Sequence, residues 1–530
     1  HDLNLESLTM DIDGMKVAAS GTGKFFDSKI EPDASPEIDA YIIAQDIPSD
    51  KMNALWPPAL SPLTREWVTG NISVGKISEA KLKLNIKKGD LKKPVLPKEA
   101  IDAKISVENL NILYLPEHPP TTHVKGKIHI DGLGLAADIE SADYLEKTKL
   151  SNGHVIIEDL NADNPYIKVD LHADAPAKDM VHFLGLPRLK HSEHLGLNEN
   201  EVKGNVRGEA KVGFNFFAPK GMKAEDAIIY DVKADVAGIS QNGFLGKFDV
   251  VGANGTVTVD NNAVEFTGAG EINGAKVSKG NVKYLFSPDK GIDTIIDVTA
   301  SSAIENLKRF GYPEFPFMKS GSIGVDAKVK LGDKIEETEA TLNLSEAEVN
   351  FSDIGLKKPK GDPATLDITT EKKDDSLQIN SFNLSGKKVS AKGSAILTNN
   401  FSTIANIQLS KAAFDDNDIS NLNYEKNAEG TQIDITGSKV DLTSYLEKDG
   451  DGLSFKNFPA VKLKADIGKL ILGKDRALSG FKGELFCDKA ICHNANISGA
   501  TDTKKPFSVK ITKDAKKQRQ LLVFSEDAGA

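Results

Sequence analysis

The sequence predicts an all-β protein made of long antiparallel strands. Three observations predict it. Apolar and polar residues alternate with period two over long runs, turn dipeptides recur along the chain, and helical patterns are few and short. Alternate side chains of a strand point to opposite faces, so such a run has one apolar face and one wet face. Residues 202–216 are the clearest case. Val202, Val206, Ala210, Val212, Phe214 and Phe216 share one parity, with Gly204 and Gly208 in the gaps, and Lys203, Asn205, Arg207, Glu209, Lys211 and Asn215 hold the other. At about 3.3 Å per residue that strand would run about 50 Å.

The same pattern recurs along the chain. Leu82, Leu84 and Ile86 alternate with lysines, and Val124, Ile128 and Ile130 alternate with Lys125, Lys127 and His129. Ile323, Val325, Ala327, Val329 and Leu331 form a further apolar set, and Val461, Leu463, Ala465 and Ile467 another. Asp131-Gly132, Asn152-Gly153, Asn242-Gly243, Asn254-Gly255, Asn273-Gly274 and Asp451-Gly452 read as turns between runs. The arrangement expected is an antiparallel meander, because βαβ units would need helical patterns between the strands.

Each helical candidate is short and directly follows a strand. Residues 49–56, 177–184, 303–310 and 441–446 recur with a period of about 130 residues, and 61–68 is a second connector, with Pro62 suited to a first helical turn. The expected organisation is N-terminal strands over 1–48, β-modules over 49–176, 177–300 and 301–440, and a C-terminal module over 441–530. No Pro/Gly/Ser-rich linker interrupts the array, which favours modules sharing a continuous sheet.

Composition narrows the function classes. The 530 residues carry a net charge of -11, with lysines spread singly among Asp and Glu, which argues against a nucleic-acid partner. No run of about 18 apolar residues is present to span a membrane. The chain begins at His1 rather than Met and reads as a piece of something longer.

An apolar sheet face must be buried against something. Two answers are open. A second sheet would give stacked sandwiches. A sheet bent into a trough would leave the face free for a ligand, and a lining of Val, Ile, Leu, Ala and Gly with only 6% aromatics suits a smooth surface. Burying acyl chains there would gain about 0.8 kcal/mol per methylene.

A family resemblance bears on that choice. Leu55-Trp56-Pro57-Pro58, then Ser61-Pro62-Leu63-Thr64-Arg65-Glu66-Trp67-Val68, then Asn71–Ile77 ahead of an alternating strand form one distinctive stretch. Leu472–Leu478, with Gly480 and Gly483 following, form a second, and Ser525–Ala530 a third. On these residues the chain resembles the AsmA-like family, in its YhdP-type branch of large bacterial envelope proteins. The resemblance implies an elongated, strongly curved antiparallel β-sheet forming an open hydrophobic groove, with a few short connector helices. It also implies a periplasmic, non-enzymatic protein without cofactors that binds phospholipid and helps transfer it between inner and outer membranes. The family's inner-membrane anchor, an N-terminal helix, would lie outside this chain, and envelope proteins are implied as further partners. The lining expected is Leu82, Leu84, Ile86, Ile128, Ile130, Val206, Ala210, Val212, Phe214, Phe216, Val325, Ala327, Val329, Leu331, Val461, Leu463 and Ile467. The rival reading is a structural or interaction β-repeat of the envelope with sandwich cores.

Other candidates are weaker. Cys487 and Cys492 flank four residues suited to a hairpin turn, within reach of a disulfide. His182, His191, Glu193 and His194 cluster locally without a metal-ligand spacing, and read as a solvated loop. Asp449–Gly452 and Asp415–Asp418 lack the full calcium-loop pattern and read as turns. Gly21-Thr22-Gly23-Lys24 lacks the phosphate-loop spacing. Trp56 and Trp67 are expected to pack a module junction.

Overall fold

The computed structural model describes residues 1–26, 30, 35–56, 62–93, 95–114, 118–160, 162–186, 196–215, 220–221, 227–244, 247–312, 314, 317–334, 336–351, 356–373, 375–399, 403–446, 458–489, 491–513 and 518–526. Strand accounts for 72% of the chain and helix for 9%. The chain forms two compact units, His1–Phe266 and Thr267–Ala530.

Unit 1 holds β1 (Asp2–Ile12), β2 (Met15–Lys24), β3 (Glu37–Pro48), β4 (Ile72–Ser73), β5 (Lys76–Ile86), β6 (Ile101–Ile112), β7 (Thr121–Ile130), β8 (Leu135–Tyr144), β9 (Thr148–Ile157), β10 (Tyr166–Pro176), β11 (Lys203–Asn215), β12 (Ile228–Phe244) and β13 (Phe248–Val259). The pairs β1–β2, β2–β3 and β3–β5 are antiparallel, and from β5 to β13 each strand pairs antiparallel with the next. β14 (Ala263–Ile272) crosses the boundary of the units.

Unit 2 continues with β15 (Ala275–Asp289), β16 (Ile292–Ala303), β17 (Met318–Leu331), β18 (Glu336–Asn343), β19 (Ala347–Phe351), β20 (Leu356–Lys358), β21 (Ala364–Lys373), β22 (Ser376–Gly386), β23 (Val389–Thr398), β24 (Thr403–Phe414), β25 (Asn417–Asn427), β26 (Gly430–Asp441), β27 (Phe458–Gly473), β28 (Arg476–Lys489), β29 (Ile491–Ala500), β30 (Pro506–Lys513) and β31 (Arg519–Ser525). β18 pairs with β21, while β19 and β20 form a side hairpin on the start of β17. One pair departs from the expected meander. β27 runs parallel to β26, so the chain returns across the sheet between them.

Strand direction places the helical connectors. In unit 1, β3 and β10 end on the same margin, because odd and even strands alternate direction between them. The 3₁₀ turn Ser49–Lys51 and helix Met52–Leu55 follow β3, and helix Ala177–Leu184 follows β10. In unit 2, β16 and β26 likewise end on one margin, followed by the 3₁₀ segment Ile304–Phe310 and helix Thr443–Leu446. These are the positions the sequence period indicated. The third connector is 3₁₀ over its whole described length rather than α.

The fully buried cores lie beneath these connectors. Met15, Ile47 and Met52 pack together in unit 1, Val107, Leu110, Val124 and Ala142 form a second cluster, and Ala177, Val181 and Val202 a third. In unit 2, Ile323, Leu344, Ala347 and Ala364 pack with Ile304 and Leu307 from the connector. Ala412, Ile419, Val440, Ala465, Ile467 and Leu470 pack with Leu442, next to the last connector.

Away from that margin much of the apolar face is only half-buried, although Ile86, Ala103 and Ile228 at the opposite margin are buried. Along β11, Val206, Gly208, Ala210, Val212 and Phe214 are intermediate, while Lys203, Asn205, Arg207, Glu209 and Lys211 are exposed. A second sheet packed about 10 Å away would bury such side chains. The sandwich reading therefore fails for this face. A single layer whose one face is steadily less exposed is curled toward that face. Bulges between β5 and β6, β6 and β7, and β12 and β13 supply local bending.

Several expected turns are in fact such irregularities. Asp131-Gly132 and Asn273-Gly274 do turn the chain, the latter with φ of 49° and 82°. Asn152-Gly153 instead lies inside β9, Asn242-Gly243 inside β12 and Asn254-Gly255 inside β13. Asn152 is left-handed, with φ of 49°, next to a register shift against β10. The same conformational freedom that makes a tight turn makes a bulge, and the dipeptide alone does not distinguish them. Asp451-Gly452 lies outside the described residues.

Candidate functional site

The strands join in one sheet of 31 strands that is not closed, and the candidate site is its apolar face, described for each unit in turn. Register converts the alternation of single strands into rows across strands. In unit 1, Ala103, Ile130, Leu135, Ile157, Ile167, Phe214 and Ile228 are successive neighbours from β6 to β12. This row lies at the margin opposite the connectors, so the apolar lining reaches that edge.

The residues expected to line the face are placed as follows. Leu82 and Leu84 are half-buried, and Ile86 is buried at the end of β5. Ile128 and Ile130 are half-buried neighbours of Ile105 and Ala103. Val206, Ala210, Val212 and Phe214 pair with Ala175, Leu171, Val169 and Ile167. Phe216 lies outside the described residues. In unit 2, Val325, Ala327, Val329 and Leu331 pair with Ala300, Val298, Ile296 and Thr294. Val461 and Leu463 are half-buried next to Thr431 and Ile433, while Ile467 is 3% exposed and belongs to a connector core.

Cys487 and Cys492 are bonded, with an S–S distance of 2.06 Å, as register neighbours at the β28–β29 turn. His182 Nδ1 lies 3.1 Å from a carboxylate oxygen of Glu199, whereas His191, Glu193 and His194 are outside the described residues. Among the described residues no group of three His, Cys, Asp or Glu side chains could hold a metal. Asp415–Asp418 turns β24 into β25. Asp416 binds Lys439 at 2.5 Å, which holds its carboxyl below the usual range, and Asn417 accepts a hydrogen bond from the Asp441 amide. Asp449–Gly452 is outside the described residues. Gly21–Lys24 ends β2 inside a strand pair.

Beside Trp56 the two short helices of one connector are joined by Arg65. Arg65 Nε donates to Trp56 O at 3.0 Å and its Nη2 to Asn53 O at 2.9 Å, tying helix Pro62–Asn71 to helix Met52–Leu55.

Three features escaped the sequence reading. First, an aromatic cluster supports helix Ala177–Leu184. Tyr144 and His118 both meet the Phe183 ring edge-on, and fully buried Thr148 donates to Asp179 at 2.8 Å. The Tyr144 phenol is pushed up to about 12, chiefly by burial and then by the charge of Asp179. Second, Lys358 is buried rather than solvated. Its ammonium donates to the carbonyls of Ala347, Pro359 and Ser345, and burial lowers its pKa. Third, the apolar face of unit 2 carries a polar step. Glu336 and Lys372 are direct neighbours, 3.6 Å apart, and Thr338 and Thr370 pair beside them. The aromatic cluster and the polar step join residues about 30 or more positions apart, and Lys358 reaches back 11 and 13 residues, so no local pattern signals them.

No helix among the described residues is long and apolar enough to cross a membrane. A family model described as YhdP protein matches residues 2–482. No curated protein matches the chain.

Proposed function

The chain belongs to the YhdP family, and on that footing we propose that it binds phospholipid acyl chains along the half-buried apolar face of its sheet. It acts in the periplasm as part of a path that carries lipid between inner and outer membranes, by binding rather than catalysis. The observation that supports this most is the exposure pattern of β10 and β11. Apart from Ala175 beside the connector, their apolar side chains are half-buried where a sandwich core would bury them completely. Apolar surface left in contact with water favours any occupant that removes it, at about 25 cal/mol per Å². Acyl chains satisfy that face without needing hydrogen bonds from it.

Val212→Asp is the test. It sets a carboxylate in the middle of the row that joins Val155, Val169, Val212 and Tyr230. Lipid retained by the purified chain after incubation with vesicles should fall at least about tenfold, because burying an unpaired charge costs several kcal/mol. The exposed swap Lys211→Asp serves as the control and should retain wild-type lipid. Equal retention by Val212→Asp and wild type would remove this strand from the lipid path.

A further inference from the structure

We propose that the polar step on the apolar face of unit 2 seats the headgroup of a zwitterionic phospholipid, one with a phosphodiester and an ammonium. This rests on the acyl-chain reading above and adds a fixed polar station to it.

The step is narrow and sharply bounded. Two rows nearer the connector margin are wholly apolar across β17, β18, β21 and β22. They are Val325, Leu342, Leu366 and Leu384, and then Ala327, Ala340, Ile368 and Phe382. The next row reads Val329, Thr338, Thr370 and Ile379, and the last reads Leu331, Glu336, Lys372 and Leu377. The polar groups thus occupy two strands and two rows, with aliphatic side chains on both sides. Unit 1 has no such break in the row from Ala103 to Ile228 described above.

Parity places the charges on the apolar face. The β18–β21 register runs without a shift from Glu336 to Asn343, so Glu336 shares a face with Thr338, Ala340 and Leu342. The charges of the outer face are satisfied separately. Glu337 pairs with Lys330 at 3.3 Å, and Glu371 with Lys373 at 2.7 Å. The Glu336 and Lys372 side chains are 34% and 41% exposed, so their mutual attraction is weakened by water. Such a pair can be exchanged for an incoming pair of opposite charges at little cost.

A zwitterionic head supplies that pair. The Lys372 ammonium and the Thr338 and Thr370 hydroxyls would donate to the phosphodiester, and the Glu336 carboxylate would accept from the ammonium. The acyl chains would run toward the connector margin over Ala327, Ala340 and Val325. An anionic head without an ammonium would bring its phosphate toward Glu336, which selects against it by repulsion.

The test compares retention of phosphatidylethanolamine and phosphatidylglycerol of identical acyl chains from mixed vesicles, read by mass spectrometry of the purified chain. Wild type should favour phosphatidylethanolamine. Glu336→Lys should shift the ratio toward phosphatidylglycerol by about tenfold, the scale of one charge-assisted hydrogen bond gained or lost. Lys372→Glu should lower retention of both lipids. A wild-type ratio in Glu336→Lys overturns the headgroup seat and leaves the acyl-chain reading standing. No lipid retained by wild type overturns both. Free phosphorylethanolamine separates headgroup from soluble phosphate. It should bind at least about a hundredfold more weakly than the lipid, since it lacks the chains, and equal binding overturns the lipid assignment.

Discussion

Across the outer face of unit 1, neighbouring strands present opposite charges. Asp143, Lys149, Asp174, Arg207 and Asp235 follow one another from β8 to β12 in strict alternation. Lys127, Asp138, His154, Asp170, Lys211 and Asp231 form a parallel row, with His154 between two aspartates. The matching face of unit 2 has ionic rows of its own, such as Asp297, Lys328 and Glu339, but sets hydroxyls and amides between them. Thr341 donates to Asp367 at 2.8 Å, Thr369 and Ser381 meet at 2.8 Å, and Ser420 and Thr436 at 3.1 Å. Like charges stand opposite one another in both units, as Lys81 does to Lys104 in unit 1 and Glu337 to Glu371 and Lys392 to Lys411 in unit 2. The two units thus keep one face wet with ionic rows, to which unit 2 adds hydroxyl pairs between strands. Ionic rows also specify register, because a one-residue slip exchanges the wet and apolar faces of a strand and a two-residue slip realigns the charges. Hydroxyl rows tolerate mismatch and hold register less tightly.

The units differ beneath their connectors too. The core of unit 1 around Leu110 and Val124 is aliphatic and large, whereas alanines such as Ala347, Ala364 and Ala412 fill much of the core in unit 2. Leu110→Ala should therefore open a cavity and cost about 2–5 kcal/mol. Ala347→Leu should overpack a fully buried site and cost about 1–3 kcal/mol. Hydrogen exchange resolved by strand reads both. Loss of protection in β17–β19 from the unit 1 change would break the view that each core serves its own unit.

Alkaline pH should sharpen the contrast. The raised phenol of Tyr144 binds its proton more tightly folded than unfolded. Its contribution is complete below pH 10 and is lost as pH rises toward about 12, amounting to about 2–3 kcal/mol. The hydroxyl has no hydrogen-bond partner among the described residues. Tyr144→Phe should then leave stability at pH 7 nearly unchanged and abolish the loss above pH 10, measured by urea unfolding. An unchanged alkaline loss would assign it to other groups.

The smallest effects test the outer faces. Arg207→Glu sets a carboxylate between Asp174 and Asp235 and should cost about 0.5–1 kcal/mol, less at high salt. Lys392→Glu should instead stabilise unit 2 by a few tenths of a kcal/mol, about the low end for a cross-strand pair, by relieving Lys411. Equal costs for the two would erase the distinction between ionic and hydroxyl rows.

Much of this was legible in the residues. The parity of residues 203–215 assigns each side chain to its face, and the short helical pattern over 177–184 directly after a strand is where the helix forms. The short spacing of Cys487 and Cys492 indicated a hairpin, which β28 and β29 form. These signals depend on neighbours within one or two turns of chain. Asn152-Gly153 misled for the same reason. It permits a left-handed residue, and its surroundings decide whether that residue turns the strand or bulges it.

The sequence by itself determined which residues can face apolar surroundings, where helices interrupt the strands, and that no catalytic spacing is prominent. Only the assembled strands show that much of the apolar face is half-buried among the described residues, that β27 joins β26 in parallel, and that Glu336 meets Lys372. The physical reason is the difference between period and register. Period two is fixed by the backbone of each strand. Which residues become neighbours across strands depends on every loop and bulge between them, and there the ionic rows of unit 1 and the polar step of unit 2 arise.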